Sequence, residues 1–274
     1  MIHSNSEGDI YIEEMPLLLV HLREEEKGAD ARLSEVLSYA LDGYAYETAT
    51  EISAFEDYVN RWRRLEKTQN RKNPVQGRIL FAVPLGTSGI NLELYRLIRF
   101  LREHPDFLNG FVGGLLVDSE NDLYSKSAAK DLVFAANCAG CAFVGRPLVE
   151  GTRTLSNYTI VSNNLGTDLM GAYRESAAGL VKEVLGTDCV RKKCPKVLVL
   201  HASSHKTSNT YAIWNRVKEQ LPEMEIREIG LRNGTLSDCA GCPYKMCLHF
   251  GEQGSCFYGG VMVEDVYPAV ARRM

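Results

Sequence analysis

The sequence has no long apolar run and no excess of basic charge. None of its hydrophobic stretches approaches the roughly 20 residues that a membrane-spanning helix needs, and residues 1–9 lack the apolar segment of a signal peptide. A net charge of −4 over 274 residues provides no basic field for nucleic acid. Neither a Ser/His/Asp arrangement nor a His-rich metal motif follows from residue spacing. We therefore expect a cytoplasmic protein that binds neither membranes nor nucleic acid.

Apolar runs alternate with helical patterns along residues 1–186, which we assign to a first domain. The pattern predicts strands over 17–20, 44–52, 79–83, 111–117 and 142–144. It predicts helices over 30–41, 55–65, 92–101, 125–136 and 169–185. Strands that are separated by helices indicate an α/β fold with a doubly wound parallel sheet.

A linker over residues 187–195 leads into a second unit, residues 196–274. Strand 196–200 precedes helix 208–221, whose apolar stripe is Ile213, Val217 and Leu221. Strand 224–231 and a short helix from Glu264 follow. A doubly wound sheet needs further strands, so we expect this unit to be incomplete. A segment beyond Met274, or a partner chain in a homo-oligomer, would complete the sheet.

The turn after strand 196–200 has the features of an anion site. Polar residues follow the apolar run Val197–Leu200 at once, and a helix then begins. Free N–H groups and the helix dipole favour a phosphate in such a turn. The alternative is that Ser208 and Asn209 only cap the helix. The candidate ligand-binding residues are Ser203, His205, Lys206, Ser208, Asn209 and Thr210.

Four cysteines lie close together after the second strand of this unit, at Cys239, Cys242, Cys247 and Cys256. Four thiolates within eighteen residues suit a [4Fe–4S] cluster or a tetrahedral zinc ion, and His249 is a possible substitute ligand for zinc. Free thiols are the alternative. We interpret a second pair, Cys138 and Cys141, as buried small apolar side chains.

Residues 202–210 resemble the phosphate loop of the NADPH-dependent FMN reductases and their iron–sulfur flavoprotein relatives. Those proteins typically carry Gly-Ser-Pro-Arg-x-x-Ser-Asn-Thr where this chain has Ala-Ser-Ser-His-Lys-Thr-Ser-Asn-Thr. They are also typically cysteine-rich after the second strand. The resemblance covers residues 196–274. His205 replaces the family's arginine, and Lys206 is positioned to compensate for the lost charge.

The resemblance implies a flavodoxin-like fold for the second unit and an FMN phosphate wrapped by the loop; from its alternating strands and helices we expect a flavodoxin-like fold for the first domain as well. It also implies hydride transfer from NAD(P)H to FMN, and onward to a small-molecule or protein electron acceptor. One alternative is an FMN or iron–sulfur electron-transfer or regulatory module without NAD(P)H activity. Another is a non-catalytic partner-binding protein.

The first domain offers weaker site signals. Three consecutive glutamates, residues 24–26, follow its first strand and would repel a phosphate. The turn Gly86–Gly89 is either an anion site or a turn with a Ser or Thr cap. Arg146-Pro147 and residues 151–153 are expected to form a basic loop after the last strand.

Overall fold

A computed structural model of the protein describes residues 15–21, 23, 27–68, 76–189, 196–203, 208–231 and 241–271. The chain divides into two compact units, Met1–Cys189 and Val190–Met274. In the described part of the chain, no helix combines the length and the apolar character that crossing a membrane would require.

The first unit alternates strands and helices from end to end. Its strands are β1 (Leu17–His21), β2 (Tyr46–Ala49), β3 (Gly77–Leu85), β4 (Phe111–Ser119) and β5 (Ala142–Gly151). Its helices are α1 (Lys27–Ala40), α2 (Ile52–Thr68), α3 (Leu92–Glu103), α4 (Ser125–Cys138), α5 (Thr159–Leu165) and α6 (Leu169–Gly186), and a 3₁₀ turn, Ser156–Tyr158, precedes α5.

All five strands of this unit are parallel and lie in the order β2-β1-β3-β4-β5. This is the strand order of flavodoxin-like sheets. The predicted α/β fold with a parallel sheet is therefore confirmed for the first unit. Strands β1 and β4 are buried along their whole length, as expected for strands that helices cover on both faces.

Two apolar cores lie on opposite faces of the sheet. Helices α2, α3 and α4 contribute to one core, and α1 and α6 contribute to the other. Gly114 in β4 allows α6 to approach closely, because a Cβ there would lie 2.7 Å from the Val184 side chain and 2.9 Å from that of Leu180. The burial of both faces accounts for the apolar runs that made these strands recognisable.

The end of the first unit differs from the prediction. Strand β5 continues to Gly151, so Arg146 and Pro147 lie within it and not in a loop. β5 is an edge strand, where a proline without an N–H is tolerated. The sequence pattern did not predict the helical segments 156–158 and 159–165. Residues 190–195 of the predicted linker lie outside the described residues.

Residues 187–189 belong with the first unit. The Cys189 N–H donates to Gln76 Oε1 at 2.9 Å, and the Arg78 guanidinium lies 2.9 Å from the Asp188 carboxylate. Arg78 also donates to the backbone carbonyl of Thr187. These contacts fasten the segment after α6 to the start of β3.

The second unit has a two-stranded parallel sheet in its described part. The sheet pairs β6 (Lys196–His201) with β7 (Glu225–Gly230). The helices are α7 (Asn209–Glu219), α8 (Tyr244–Glu252) and α9 (Tyr267–Ala271), with a π-helical turn, Met262–Val266, before α9. Among the described residues of this unit, the buried apolar cluster consists of Ile229, Val266 and Ala269.

Helix α7 does not bury the predicted stripe. Ile213 is 64 % exposed and Val217 is 44 % exposed. The side of α7 that meets the sheet carries Tyr211 and Lys218, which both bind Glu228 of β7. The apolar periodicity of Ile213 and Val217 therefore does not mark the side of α7 that meets the sheet, where the indole nitrogen of Trp214 is buried as well.

Candidate functional site

The turn between β6 and α7 contains the candidate phosphate-binding residues. Ser203 follows the end of β6, and Ser208 is the N-cap of α7. The Ser208 backbone is extended, and its Oγ accepts a hydrogen bond from the Tyr211 N–H at 3.2 Å. Asn209 and Thr210 form the first turn of the helix. His205 and Lys206 lie outside the described residues.

Ser208 caps α7, as the alternative interpretation predicts, but this cap leaves other backbone N–H groups at the start of the helix without a partner within the helix. The first N–H groups of an α-helix have no partner within the helix. Within the described part of the chain, no acceptor is recorded for the N–H groups of Asn209 and Thr210. Together with the Ser203 and Thr210 hydroxyls, these groups have the chemistry to bind a phosphate.

A set of side chains surrounds this turn. The rings of His201 and Tyr211 lie 4.8 Å apart between centroids. The Tyr211 hydroxyl donates to Glu228 Oε2 at 3.2 Å, and the Leu231 N–H donates to the His201 carbonyl at 2.7 Å. Contacts of Tyr211 and His201 thus connect the end of β6, the first turn of α7 and strand β7.

The cysteine region is only partly described. Cys239 lies outside the described residues. Cys242 precedes α8 and is half-buried, whereas Cys247 and Cys256 are exposed free thiols. Among the residues that the structure describes, no group of three or more His, Cys, Asp or Glu side chains is arranged to hold a metal ion. The four-cysteine metal site stays a prediction, since its first ligand is not described.

A crevice lies at the carboxyl edge of the first sheet. In a parallel sheet of this order, ligands bind outside the carboxyl ends of the strands at the switch point between β1 and β3. The crevice has a volume of about 450 Å³. It is lined by Gly28, Ala29, Arg32, Thr87, Glu120 and Arg153.

The start of α1 in this crevice holds a carboxylate of the protein itself. Glu120 Oε1 accepts a hydrogen bond from the Ala29 N–H at 3.1 Å. Its approach depends on Gly28, where a Cβ would lie 1.8 Å from the same oxygen. The negative charge of Glu120 occupies the place where a helix start favours an anion. The sequence reading did not identify Glu120, because it comes from the loop after β4.

An ion pair fixes the same edge of the sheet. Asp118 at the end of β4 is fully buried, and its Oδ1 lies 2.7 Å from Arg32 Nη2. Burial raises the pKa of Asp118, and the hydrogen bond from Arg32 opposes this. Arg32 also donates to the carbonyls of Ser119, Thr152 and Arg153. Arg32 therefore ties α1 to the ends of β4 and β5.

A second pair, between a buried histidine and a half-buried carboxylate, lies at the end of β1. His21 is 3 % exposed, and its Nε2 lies 2.8 Å from Asp30 Oδ1 on α1. Burial lowers the pKa of His21, while the Asp30 charge raises it. His21 and Asp118 lie at strand ends directly after apolar runs, which is the signal that the sequence offers for these two residues; their partners Asp30 and Arg32 lie on α1 and carry no such signal.

The remaining first-domain predictions have mixed outcomes. In the Gly86–Gly89 turn Ser88 Oγ accepts a hydrogen bond from the Ile90 N–H at 3.3 Å, and α3 is then capped by Asn91, whose side chain accepts a hydrogen bond from the Leu94 N–H. Cys141 is buried, and burial raises the pKa of its thiol. Cys138 is exposed, so the prediction of a buried side chain is wrong there. It occupies the last position of α4, on the solvent side.

No protein-family model matches this chain, and a search of curated proteins finds no significant match.

Proposed function

We propose that the protein is a flavin-dependent oxidoreductase that resembles the NAD(P)H-dependent FMN reductases. In this proposal the turn between β6 and α7 binds the FMN phosphate, and electrons pass from a nicotinamide cofactor through FMN to a small-molecule or protein acceptor. The supporting observation is the order of a parallel strand, a polar turn and a helix capped by Ser208.

The groups around the turn fit a phosphate. Ser203 and Thr210 provide hydroxyl donors, and the first turn of α7 provides backbone N–H groups. The helix dipole adds a favourable potential for a dianion. In the sequence, Lys206 adds a cation beside these donors. The nearby carboxylate of Glu228 is paired with Lys218, so its charge is offset within the unit.

Bound FMN would supply the redox chemistry. The protein's own residues would bind the phosphate and so fix the phosphate end of FMN relative to the sheet. The cysteines after β7 are proposed to bind a [4Fe–4S] cluster or, as the alternative, zinc. The first unit, with Glu120 at the start of α1, is proposed as a scaffold rather than as the flavin phosphate site.

The experiment compares FMN with riboflavin, which lacks the phosphate, by titration of flavin fluorescence. Ser203→Ala is expected to weaken FMN binding by about 1–3 kcal/mol, the loss of a hydrogen bond to a charged group, and to leave riboflavin binding unchanged. Ser208→Asp keeps a capping side chain but repels a phosphate, so it is expected to lower FMN affinity more strongly.

Ser255→Ala serves as the matched control, since Ser255 lies in the second unit after α8 and bonds only to the Phe250 carbonyl among its recorded side-chain contacts. Equal affinities of the wild-type chain for FMN and riboflavin would overturn the proposed phosphate site.

A further inference from the structure

We propose that Tyr211 is the positioning residue of the phosphate turn, and that it holds the start of α7 against the ends of β6 and β7. This inference rests on the proposed function. It assigns to Tyr211 no contact with the phosphate or with the reacting atoms. Its role is to fix the direction of the donors that precede it in the helix.

Backbone and side chain of Tyr211 act on different neighbours. Its N–H donates to Ser208 Oγ at 3.2 Å and so completes the helix cap. Its ring packs at 45° against His201, with 4.8 Å between centroids. Its hydroxyl donates to Glu228 Oε2 at 3.2 Å. A single residue therefore connects the cap with both strands of the sheet.

Both side-chain partners of Tyr211 are themselves fixed. His201 is the last residue of β6, and its carbonyl accepts the Leu231 N–H at the end of β7. Glu228 lies within β7 and also binds Lys218, two turns further along α7. The hydrogen bond from Lys218 lowers the pKa of Glu228, so the carboxylate stays charged at neutral pH. The Tyr211 hydroxyl thus donates to a carboxylate that stays ionised and is held in place by Lys218.

In the described part of the unit, the other contacts of α7 lie further along the helix than Tyr211: the indole nitrogen of Trp214 is buried, and Lys218 binds Glu228. No residue of α7 is fully buried, and Ile213 and Val217 face solvent. Loss of the Tyr211 side chain should therefore let the first turn of α7 move. Phosphate recognition by backbone N–H groups depends on placement to within about 0.5 Å, so this movement should weaken FMN binding, and riboflavin lacks the phosphate that these groups would bind.

The test measures the affinities of the full chain for FMN and riboflavin in Tyr211→Leu and Tyr211→Phe. We expect Tyr211→Leu to lower FMN affinity by about tenfold, or 1.4 kcal/mol, and to leave riboflavin affinity unchanged. Tyr211→Phe keeps the ring contact with His201 and loses the hydrogen bond to Glu228. Its FMN affinity should therefore lie between that of the wild type and that of Tyr211→Leu. Tyr244→Leu, at an exposed tyrosine of the same unit, is the matched control.

The outcomes separate the two proposals. A wild-type chain that prefers FMN to riboflavin, with a Tyr211→Leu variant that keeps this preference, overturns the positioning role and leaves the phosphate site standing. An equal loss of affinity for both flavins in Tyr211→Leu also overturns it, since that indicates a general loss of structure. A wild-type chain without preference for FMN overturns the phosphate site and the positioning role together.

Discussion

At the scale of single residues, the carboxyl edge of the first sheet depends on Arg32. Asp118 is fully buried, and a buried carboxylate is tolerated only when it is paired. The guanidinium of Arg32, on helix α1, forms this ion pair with Asp118. The sequence places Asp118 after an apolar run but gives no indication of its partner, because 86 residues separate the two.

We predict that Arg32→Met destabilises the protein by about 3 kcal/mol, since it leaves the Asp118 charge buried without its partner. The double variant Arg32→Met with Asp118→Asn should recover part of this loss, because the buried charge is then removed. Urea unfolding of the wild type and the variants measures the difference. A double variant that is less stable than Arg32→Met alone would contradict the explanation.

His21 should make stability depend on pH. Because burial lowers its pKa below the ordinary value of 6.5, the folded state binds fewer protons than the unfolded chain in mildly acid solution. Its contribution to stability is complete above about pH 6.5 and is lost as the pH falls below that value. Urea unfolding between pH 8 and pH 5 measures this slope.

Two variants at this pair should change the slope in opposite directions. His21→Gln removes the titrating group and should flatten the dependence. Asp30→Asn removes the charge that raises the pKa of His21, and it should steepen the dependence. Identical slopes in the wild type and both variants would show that His21 does not control the effect.

At the scale of elements, capping decides where α3 begins. Asn91 is fully buried; its Oδ1 accepts from the Leu94 N–H at 2.8 Å and its Nδ2 donates to the Pro84 carbonyl at 2.9 Å. The sequence suggests a serine or threonine cap in this turn. It cannot show that an asparagine satisfies two buried backbone groups at once, because Pro84 belongs to β3.

Asn91→Ala should therefore cost about 2 kcal/mol, which combines a lost cap with an unsatisfied buried carbonyl. Asn91→Asp retains the capping oxygen and should lose less at the helix start, although it no longer donates to Pro84. Thermal unfolding of both variants measures the effect. Equal stability of Asn91→Ala and the wild type would contradict the assigned role of the cap.

Comparison of the first sheet with helix α7 shows why the pattern of apolar residues predicts the buried face of some elements and not of others. The strands of the first sheet are recognisable because both faces of the sheet are covered, and each strand reads as an apolar run. Helix α7 has apolar residues at helical spacing, Ile213 and Val217, yet the side that meets the sheet carries Tyr211, Trp214 and Lys218. Side-chain hydrogen bonds across elements carry no periodic signal, so the orientation of α7 was not predictable.

At the scale of the whole molecule, the two units differ in how much they bury. The first has a core on each face of a five-stranded sheet. The second has three buried apolar residues in its described part, and strands β6 and β7 are mostly half-buried. Because apolar burial is the main stabilising term, the units should differ in stability.

Hydrogen exchange of the intact chain tests this difference. We expect amides of β3 and β4 to exchange only through global unfolding of the first unit, and those of β6 and β7 to exchange much faster. Mass spectrometry of peptides from the two units provides the rates. Equal protection of β4 and β6 would contradict the prediction that the second unit is the weaker one.

The central claim is that the start of α7 binds a phosphate of FMN. Amide chemical shifts of the isotope-labelled chain, recorded while FMN or riboflavin is added, test it most directly. We predict that FMN shifts the amide signals of Ser208, Asn209 and Thr210 and that riboflavin does not. Shifts that are the same for both flavins, or that fall around Ala29 and Glu120 in the first unit, would contradict it.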